Sequence, residues 1–360
     1  MIEQYTIATT PKYNFPQPTI DTTLPKRLTQ LSLNSLQQVQ NNTIQLNQQQ
    51  IQQIQNPDAY TQNFQLKPQP IQLKPNHEKT IVAAVDTSSI KIGETATGIL
   101  VAIRGATVWK QNRKYRYLRL GPFIFHMTEE NKNQVCAALR NTYLNTLNEP
   151  NHQSAPNLQQ VPLRLASTLE RWFQTMLTKT MANSTILFDG SLTSGTPDTP
   201  TALLKEILEN ARKRGNVVLA FSKMTTLRVN GHLITEALPN HKPPYLLETY
   251  GIKTKPPTLL LGDVYVAKLT CGNCAFRLDI DKHVPNEQKI RTVETLLTND
   301  LLTQSYPETL RLAHILCTFT ANEVIAMQHF LAKRHRLRIV NRPDMHRLLF
   351  GPFGKGENNA

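Results

Sequence analysis

Three short apolar runs limit what this chain can fold into, because each closes on a charged side chain: Thr80-Ile-Val-Ala-Ala-Val-Asp86, Ser184-Thr-Ile-Leu-Phe-Asp189 and Asn216-Val-Val-Leu-Ala-Phe-Ser-Lys223. Runs of this length and composition read as buried strands, which need helices packed on the sheet they form. The intervening sequence supplies those helices. Leu169, Trp172, Phe173, Met176 and Leu177 make an apolar stripe that predicts a helix over residues 163–181. A second helix over 200–214, between the last two runs, makes a β-α-β unit with parallel strands. Two further strands are expected at 97–109 and 115–127, separated by the turn-like Lys110-Gln-Asn-Arg-Lys, so that the first run opens an antiparallel meander. A helix follows over 129–147. Residues 225–255 read as loop, and 258–269 with 275–280 as a hairpin around Cys271-Gly-Asn-Cys274. Helices at 286–302 and 307–334 and a short strand at 337–340 complete the chain. A meander followed by alternating helices and parallel strands is the pattern of an α/β, RNase-H-like fold.

Residues 1–79 differ in texture, being rich in Gln, Asn, Thr and Pro, and are expected to form an arm or linker ahead of one domain at 80–353, with a tail at 354–360. Within the arm Leu31, Leu33, Leu36, Val39, Ile44, Leu46, Ile51 and Ile54 recur at partly helical spacing. A helical arm and a disordered polar leader both fit that pattern. Pro68, Pro70 and Pro75 predict an extended link into the domain. No apolar run approaches the roughly 20 residues of a membrane span, and the polar N-terminus lacks the apolar stretch of a signal peptide, so a soluble, intracellular protein is expected. Four cysteines, Cys136, Cys271, Cys274 and Cys317, are too few for a disulfide scaffold in 360 residues and fit a reducing compartment. The 40 Lys and Arg against 26 Asp and Glu leave a formal charge of +14, which gathers polyanions. Nucleic acid is the obvious one, although a basic pI alone also fits a solubility requirement.

The chemistry suggested by the runs is metal-assisted phosphodiester cleavage. That reaction needs carboxylates converging on one point to hold cations against the scissile phosphate. Asp86 and Asp189 close two strands that can be neighbours, and Glu170 lies on the helix between them beside its apolar stripe. Taken singly, each has a plainer reading, an Asp as turn-former or helix cap and a Glu as solvated flank. His314 shares a helical face with Leu310, Ala313 and Cys317, where it fits a core histidine, a metal ligand or a proton shuttle. Lys223 can contact a phosphate or simply reach solvent from a strand end.

In this order the motifs resemble the NurA family of archaeal and bacterial DNA-end-processing nucleases. Ala84-Val-Asp86-Thr-Ser88 is similar to the family's first metal-binding motif, Ile186-Leu-Phe-Asp-Gly-Ser-Leu192 to its second, and Ala220-Phe-Ser-Lys223 to its strand-end lysine motif. Glu170 matches the helical glutamate, and Tyr306-Pro-Glu-Thr-Leu-Arg-Leu-Ala-His314 is similar to the C-terminal tyrosine-proline and alanine-histidine signature. Tyr265, in Gly262-Asp-Val-Tyr265, resembles the family's active-site tyrosine, with Tyr250 and Tyr245 as the alternatives for that position. One departure is Asp86-Thr-Ser where the family has Asp-Gly-Ser, which removes backbone freedom just after the acid. The resemblance spans 80–353. It implies a DNA nuclease using Mn²⁺ or Mg²⁺, two ions, held by Asp86, Glu170, Asp189 and His314, with Lys223 and Tyr265 orienting the phosphate. It further implies a homodimer in a prokaryotic, nucleoid-associated setting, acting on single-stranded DNA and DNA ends in double-strand break resection beside a HerA-type hexameric ATPase. The chain has no Gly-x-x-x-x-Gly-Lys-Ser/Thr phosphate loop of its own.

Two basic stretches are candidate DNA contacts: Lys110 through Arg119, in which Arg113, Lys114, Arg116 and Arg119 alternate with aromatics, and Lys333 through Arg338 with Arg342. The Cys271/Cys274 pair lacks a second ligand pair for structural zinc and reads as a hairpin turn. A catalytically silent DNA-binding subunit, or an RNase-H-like enzyme acting on RNA or recombination intermediates, are the alternatives to a DNA nuclease.

Overall fold

The computed structural model describes residues 23–45 apart from 38 and 41, 64–144 apart from 68, and 155–340, with backbone only at 140–144. In chain order the elements are α1 (Thr23–Gln37), β1 (Thr43–Gln45), β2 (Val82–Glu94), β3 (Gly98–Gln111), β4 (Lys114–Thr128), α2 (Lys132–Leu144), α3 (Val161–Thr180), β5 (Thr185–Asp189), α4 (Thr201–Lys213), β6 (Val217–Ser222), β7 (Tyr245–Tyr250), β8 (Gly262–Lys268), β9 (Phe276–Asp281), α5 (Asn286–Asn299), α6 (Glu308–Cys317), α7 (Ala321–His335) and β10 (Arg338–Val340). They form a mixed α/β body around one large sheet.

The heart of the sheet runs β4-β3-β2-β5-β6. β3 is antiparallel to its neighbours, while β5 and β6 run parallel to β2. Three strands in meander and two more parallel to the first are the arrangement the sequence predicts. β9, β8 and β7 extend the sheet antiparallel from the β6 edge. Strand β7 falls in a segment expected to be loop; its apolar half, Tyr245-Leu-Leu247, is buried between β8 and the N-terminal residues Ile71–Gln72 that pair with it.

Alternation along the strands divides the core. Ala83, Val85, Ile186, Phe188, Val218 and Ala220 face α3 and α4, and the stripe Leu165, Leu169, Trp172, Phe173 and Leu177 of α3 fills that side. Each such side chain contributes roughly 1.5–3 kcal/mol of burial, enough to fix the helix axis on the sheet. On the opposite face Val82, Ala84, Leu187, Leu219 and Phe221 meet Val293 and Leu296 of α5 and Leu310 and Ala313 of α6.

Two differences from the sequence reading bear on the site. The strand carrying Asp86 does not end there: β2 continues to Glu94 as half of a long hairpin with β3, and what stops after Val85 is its pairing with β5. Thr87 therefore lies in strand, opposite Gly105, and a β-branched residue suits that backbone where a glycine turn does not. The helix expected over 307–334 is two helices. Thr320 caps α7 by accepting from the Glu323 backbone while Glu323 returns the contact, so the chain breaks at 318–320. Arg104 of β3 then pins the break, bonding the Thr318 carbonyl and Glu323 and lying 4.3 Å from the Phe319 ring centre.

The described part of the N-terminal segment belongs to this body. Leu24, Leu28 and Leu31 of α1 join the helix-covered core, β1 pairs with β10 and with the far end of β2, and Gln65–Leu66 pairs with β7. The boundary expected at residue 79/80 thus falls inside the sheet. Leu46, Ile51, Ile54, Pro68 and the expected tail at 354–360 lie outside the described residues. No helix among the described residues is long and apolar enough to cross a membrane.

Candidate active site

Where β5 stops, the sheet opens a notch beside β2, and the side chains predicted from the runs converge on it. Asp189 is the last residue of β5 and Gly190 follows with φ +100°, a left-handed turn that a side chain would strain. The turn is held by Gly190 N–H donating to the Phe221 carbonyl at 2.8 Å and by the Ser222 hydroxyl donating to the Gly190 carbonyl at 2.8 Å. Lys223, just past β6, donates to Asp189 Oδ2 at 2.8 Å and lies 3.9 Å from Asp86 Oδ2. His314 of α6 meets Asp86 from the face above: Nδ1 to Oδ2 is 2.7 Å.

Glu170 reaches the same notch from the opposite face. Helix α3 approaches the β2–β3 hairpin closely because Gly105 has no side chain; a Cβ there would sit 2.5 Å from a Phe173 ring carbon. The Thr87 hydroxyl, in register with Gly105, donates to Glu170 Oε2 at 3.3 Å, and the Thr87 N–H donates to Asp86 Oδ1 at 2.7 Å. The residue that departs from the family motif is the bridge between two of the acids.

The electrostatics are unbalanced. Burial, with Asp86 and Asp189 nearby, pushes the Glu170 carboxyl up to about 7 against the pull of Arg171. Burial and then Asp86 also raise Asp189, although Lys223 opposes them. Tyr306, at the start of the α6 motif, has its hydroxyl raised by burial and then by Asp189 and Asp86. Tyr306 is 8% exposed, its hydroxyl is buried with no hydrogen-bond partner among the described residues, and Lys223 Nζ lies 5.8 Å from its ring centre. Acids that repel one another beside an unpaired buried hydroxyl fit a bound cation with its water, since both would be satisfied by it. Asp86, His314 and Cys317 also offer ligand atoms within 4.8 Å of one another, and the Cys317 thiol is raised by burial and then by Asp86.

Five of the predicted residues, Asp86, Glu170, Asp189, Lys223 and His314, are thus gathered. Tyr265 is not with them. Its register row runs Tyr265-Leu278-Phe221-Asp189 across the sheet, three strand spacings, or roughly 14 Å, from Asp189. Its hydroxyl is raised by burial and then by Asp263 and Glu248. The tyrosine at the site is Tyr306, and the signal for it was the Tyr306-Pro-Glu run leading into the helix of His314. The basic stretch divides as well. Arg119 pairs with Ala106, which pairs with Asp86, so it shares the acid's row. Arg113 and Lys114 lie at the hairpin turn, five residues beyond Ala106 and so roughly 17 Å along the strand. Arg116, level with Trp109, is on the opposite face from Arg119. Arg119 instead joins Arg104, Arg334 and Arg336 around a cavity of about 1000 Å³ between α1, β4 and α7. Arg342 is outside the described residues. None of the four cysteines is in a disulfide, and Cys271 and Cys274 are exposed at their turn.

No family model matches this chain, and no curated protein matches it in sequence. Among solved structures it is similar to the NurA nuclease from Sulfolobus solfataricus, with 14% identity over 74% of this chain and 88% of that one and a TM-score of 0.46. It is also similar to endonuclease V from Bacillus subtilis, with 12% identity over 74% of this chain and 89% of that one and a TM-score of 0.34. Similarities of this size do not assign an activity; what the site can do follows from its own side chains.

Proposed function

We propose that the protein is a metal-dependent DNA nuclease. The reading is carried by the convergence of Asp86, Glu170 and Asp189 from two strands and a helix on one notch, beside Lys223 and His314. The three carboxylates would hold one or two Mn²⁺ or Mg²⁺ ions. Such ions supply Lewis acidity, lowering the pKa of bound water and offsetting charge on the phosphate. Asp86 orients the His314 ring through Nδ1, which leaves Nε2 on the half-exposed side to take a proton from the attacking water; a direct ligand role for His314 is the other use of the same ring. Lys223 is free to shift its ammonium from Asp189 to a phosphate oxygen, and Tyr306 can donate its unpaired hydroxyl to the same group.

Single-stranded DNA is the substrate we favour. The cavity lined by Arg104, Arg119, Arg334 and Arg336 has apolar walls in Pro122 and Phe330, and cations mixed with apolar surface suit a backbone whose bases are unpaired. A role on DNA ends during break resection, as a homodimer with a HerA-type ATPase, extends this reading by the motif resemblance alone. The test is digestion of end-labelled single-stranded and double-stranded DNA and of RNA, with Mn²⁺, Mg²⁺ or EDTA, beside Asp86→Ala. Metal-dependent loss of DNA that the variant cannot cause is the expected result. Inactivity under every metal, with and without a HerA-type partner, overturns it in favour of a silent binding subunit, and preference for RNA overturns the substrate.

A further inference from the structure

We infer that Asp86, His314 and Cys317 form a second, softer ion site that takes Zn²⁺ in preference to Mg²⁺ and competes with the hydrolytic ions for Asp86. The three ligand atoms lie within 4.8 Å of one another. His314 and Cys317 are one helical turn apart on α6, so they present both donors to the same point of β2. Cys317 is fully buried and its thiol donates to the His314 carbonyl at 3.2 Å, which keeps it beneath the ring, while the His314 side chain is half exposed and gives an ion a way in. The set of one thiol, one imidazole and one carboxylate is a borderline-soft set with a fourth position open, the composition of a zinc site. Mg²⁺ prefers six oxygens and gains nothing from sulfur.

On binding, the thiol releases its proton to solvent as the sulfur–metal bond forms, the imidazole enters neutral, and Asp86 gives up its contact with His314. Zinc at this position therefore withdraws Asp86 from Glu170 and Asp189. The effect on cleavage rests on the nuclease reading; the ion binding does not.

The experiment uses the full chain carrying Cys271→Ser and Cys274→Ser, which removes the exposed thiols. Titration with Co²⁺ is expected to give a thiolate-to-cobalt charge-transfer absorption saturating at one equivalent, bleached by Zn²⁺ and untouched by excess Mg²⁺. Adding Cys317→Ser, whose hydroxyl can keep the bond to the His314 carbonyl, should abolish the absorption and weaken Zn²⁺ binding by more than the ~10–100-fold that loss of an outer-sphere partner causes. X-ray absorption of the zinc-loaded protein supplies a check independent of that variant, with one sulfur at about 2.3 Å expected. Absence of a sulfur ligand, or an absorption that survives Cys317→Ser, overturns the site. In the same protein Zn²⁺ should inhibit Mn²⁺-supported cleavage, and Cys317→Ser should relieve the inhibition. A cobalt–thiolate band in a protein that cleaves nothing keeps the ion site and removes the nuclease reading, so the two fail separately.

Discussion

One buried acid of the sheet and the cluster at its notch are handled in opposite ways. Asp279 on β9 has no exposure, yet it is closed on itself: Arg277 grips both oxygens, Nε to Oδ1 at 2.7 Å and Nη2 to Oδ2 at 2.8 Å, and Leu192 N–H donates to Oδ2 at 3.0 Å. Asp86, Glu170 and Asp189 are drawn together, with Lys223 against Asp189 and 3.9 Å from Asp86, and two of the three are pushed toward their protonated forms. A carboxylate with its own guanidinium fork is a fixture of the fold. A cluster that repels itself is held against its own electrostatics, and on the proposed reading a cation is the group that resolves it.

That contrast is open to direct attack. Replacing Asp189 with Asn should reduce DNA cleavage on the order of 10³-fold or more while the melting temperature holds or rises, because an amide keeps an acceptor for Lys223 and ends the repulsion with Asp86. Parallel single-turnover assays and thermal melts would check both halves; a variant that cleaves normally removes Asp189 from the site. Asp279→Asn should do the reverse. Breaking the buried ion pair with Arg277 is expected to cost about 3–5 kcal/mol in urea unfolding, with cleavage by the folded fraction retained.

Glu170 gives the contrast a pH signature. Its folded carboxyl, near 7, stands above its unfolded value, so between about pH 4.5 and 7 the native state binds the extra proton and stability falls as pH rises. In chelator the loss should be on the order of 2 kcal/mol, discounted for the partial exposure of the residue. Mn²⁺ should reverse it, and Glu170→Gln should flatten it; a slope that survives in Glu170→Gln assigns the proton elsewhere. The smallest effect is expected from Tyr306→Phe, which removes a buried hydroxyl that bonds to nothing in the described residues. Stability should stay within about 1 kcal/mol or improve, and cleavage should slow about tenfold with little change in KM. An unchanged rate would make Tyr306 a packing residue.

Periodicity carried the elements well. The α3 stripe is visible because five large apolar side chains recur at helical spacing, and β5 and β6 because three and five apolar residues, respectively, run together close to a charged one. It failed at junctions. The extension of β2 beyond Asp86 is polar, Thr87-Ser-Ser89, and is strand because β3 pairs with it along its whole length; the break before α7 depends on a cap whose partner is Arg104, far away in sequence. The site followed the same division. Asp189 and Lys223 were legible because a strand end is a local feature, and Asp86 because its apolar run stops there although the strand does not, whereas choosing Tyr306 over Tyr265 required knowing that α6 lies over β2 and that β8 lies three strands from β5.

The sequence by itself therefore determined which residues could be strands and helices, that several charged groups would stand at their ends, and that the chain would attract polyanions. Local periodicity and net charge are properties of neighbours along the chain. Only the tertiary structure decided that Glu170 enters from the opposite face through Thr87, that Cys317 joins Asp86 and His314, and that Arg119 lies level with Asp86 while Arg113 and Lys114 lie away at the hairpin turn. Those facts depend on strand register and on which face each helix covers, and both are fixed by packing between residues distant along the chain, 83 positions for Thr87 with Glu170 and 228 for Asp86 with His314.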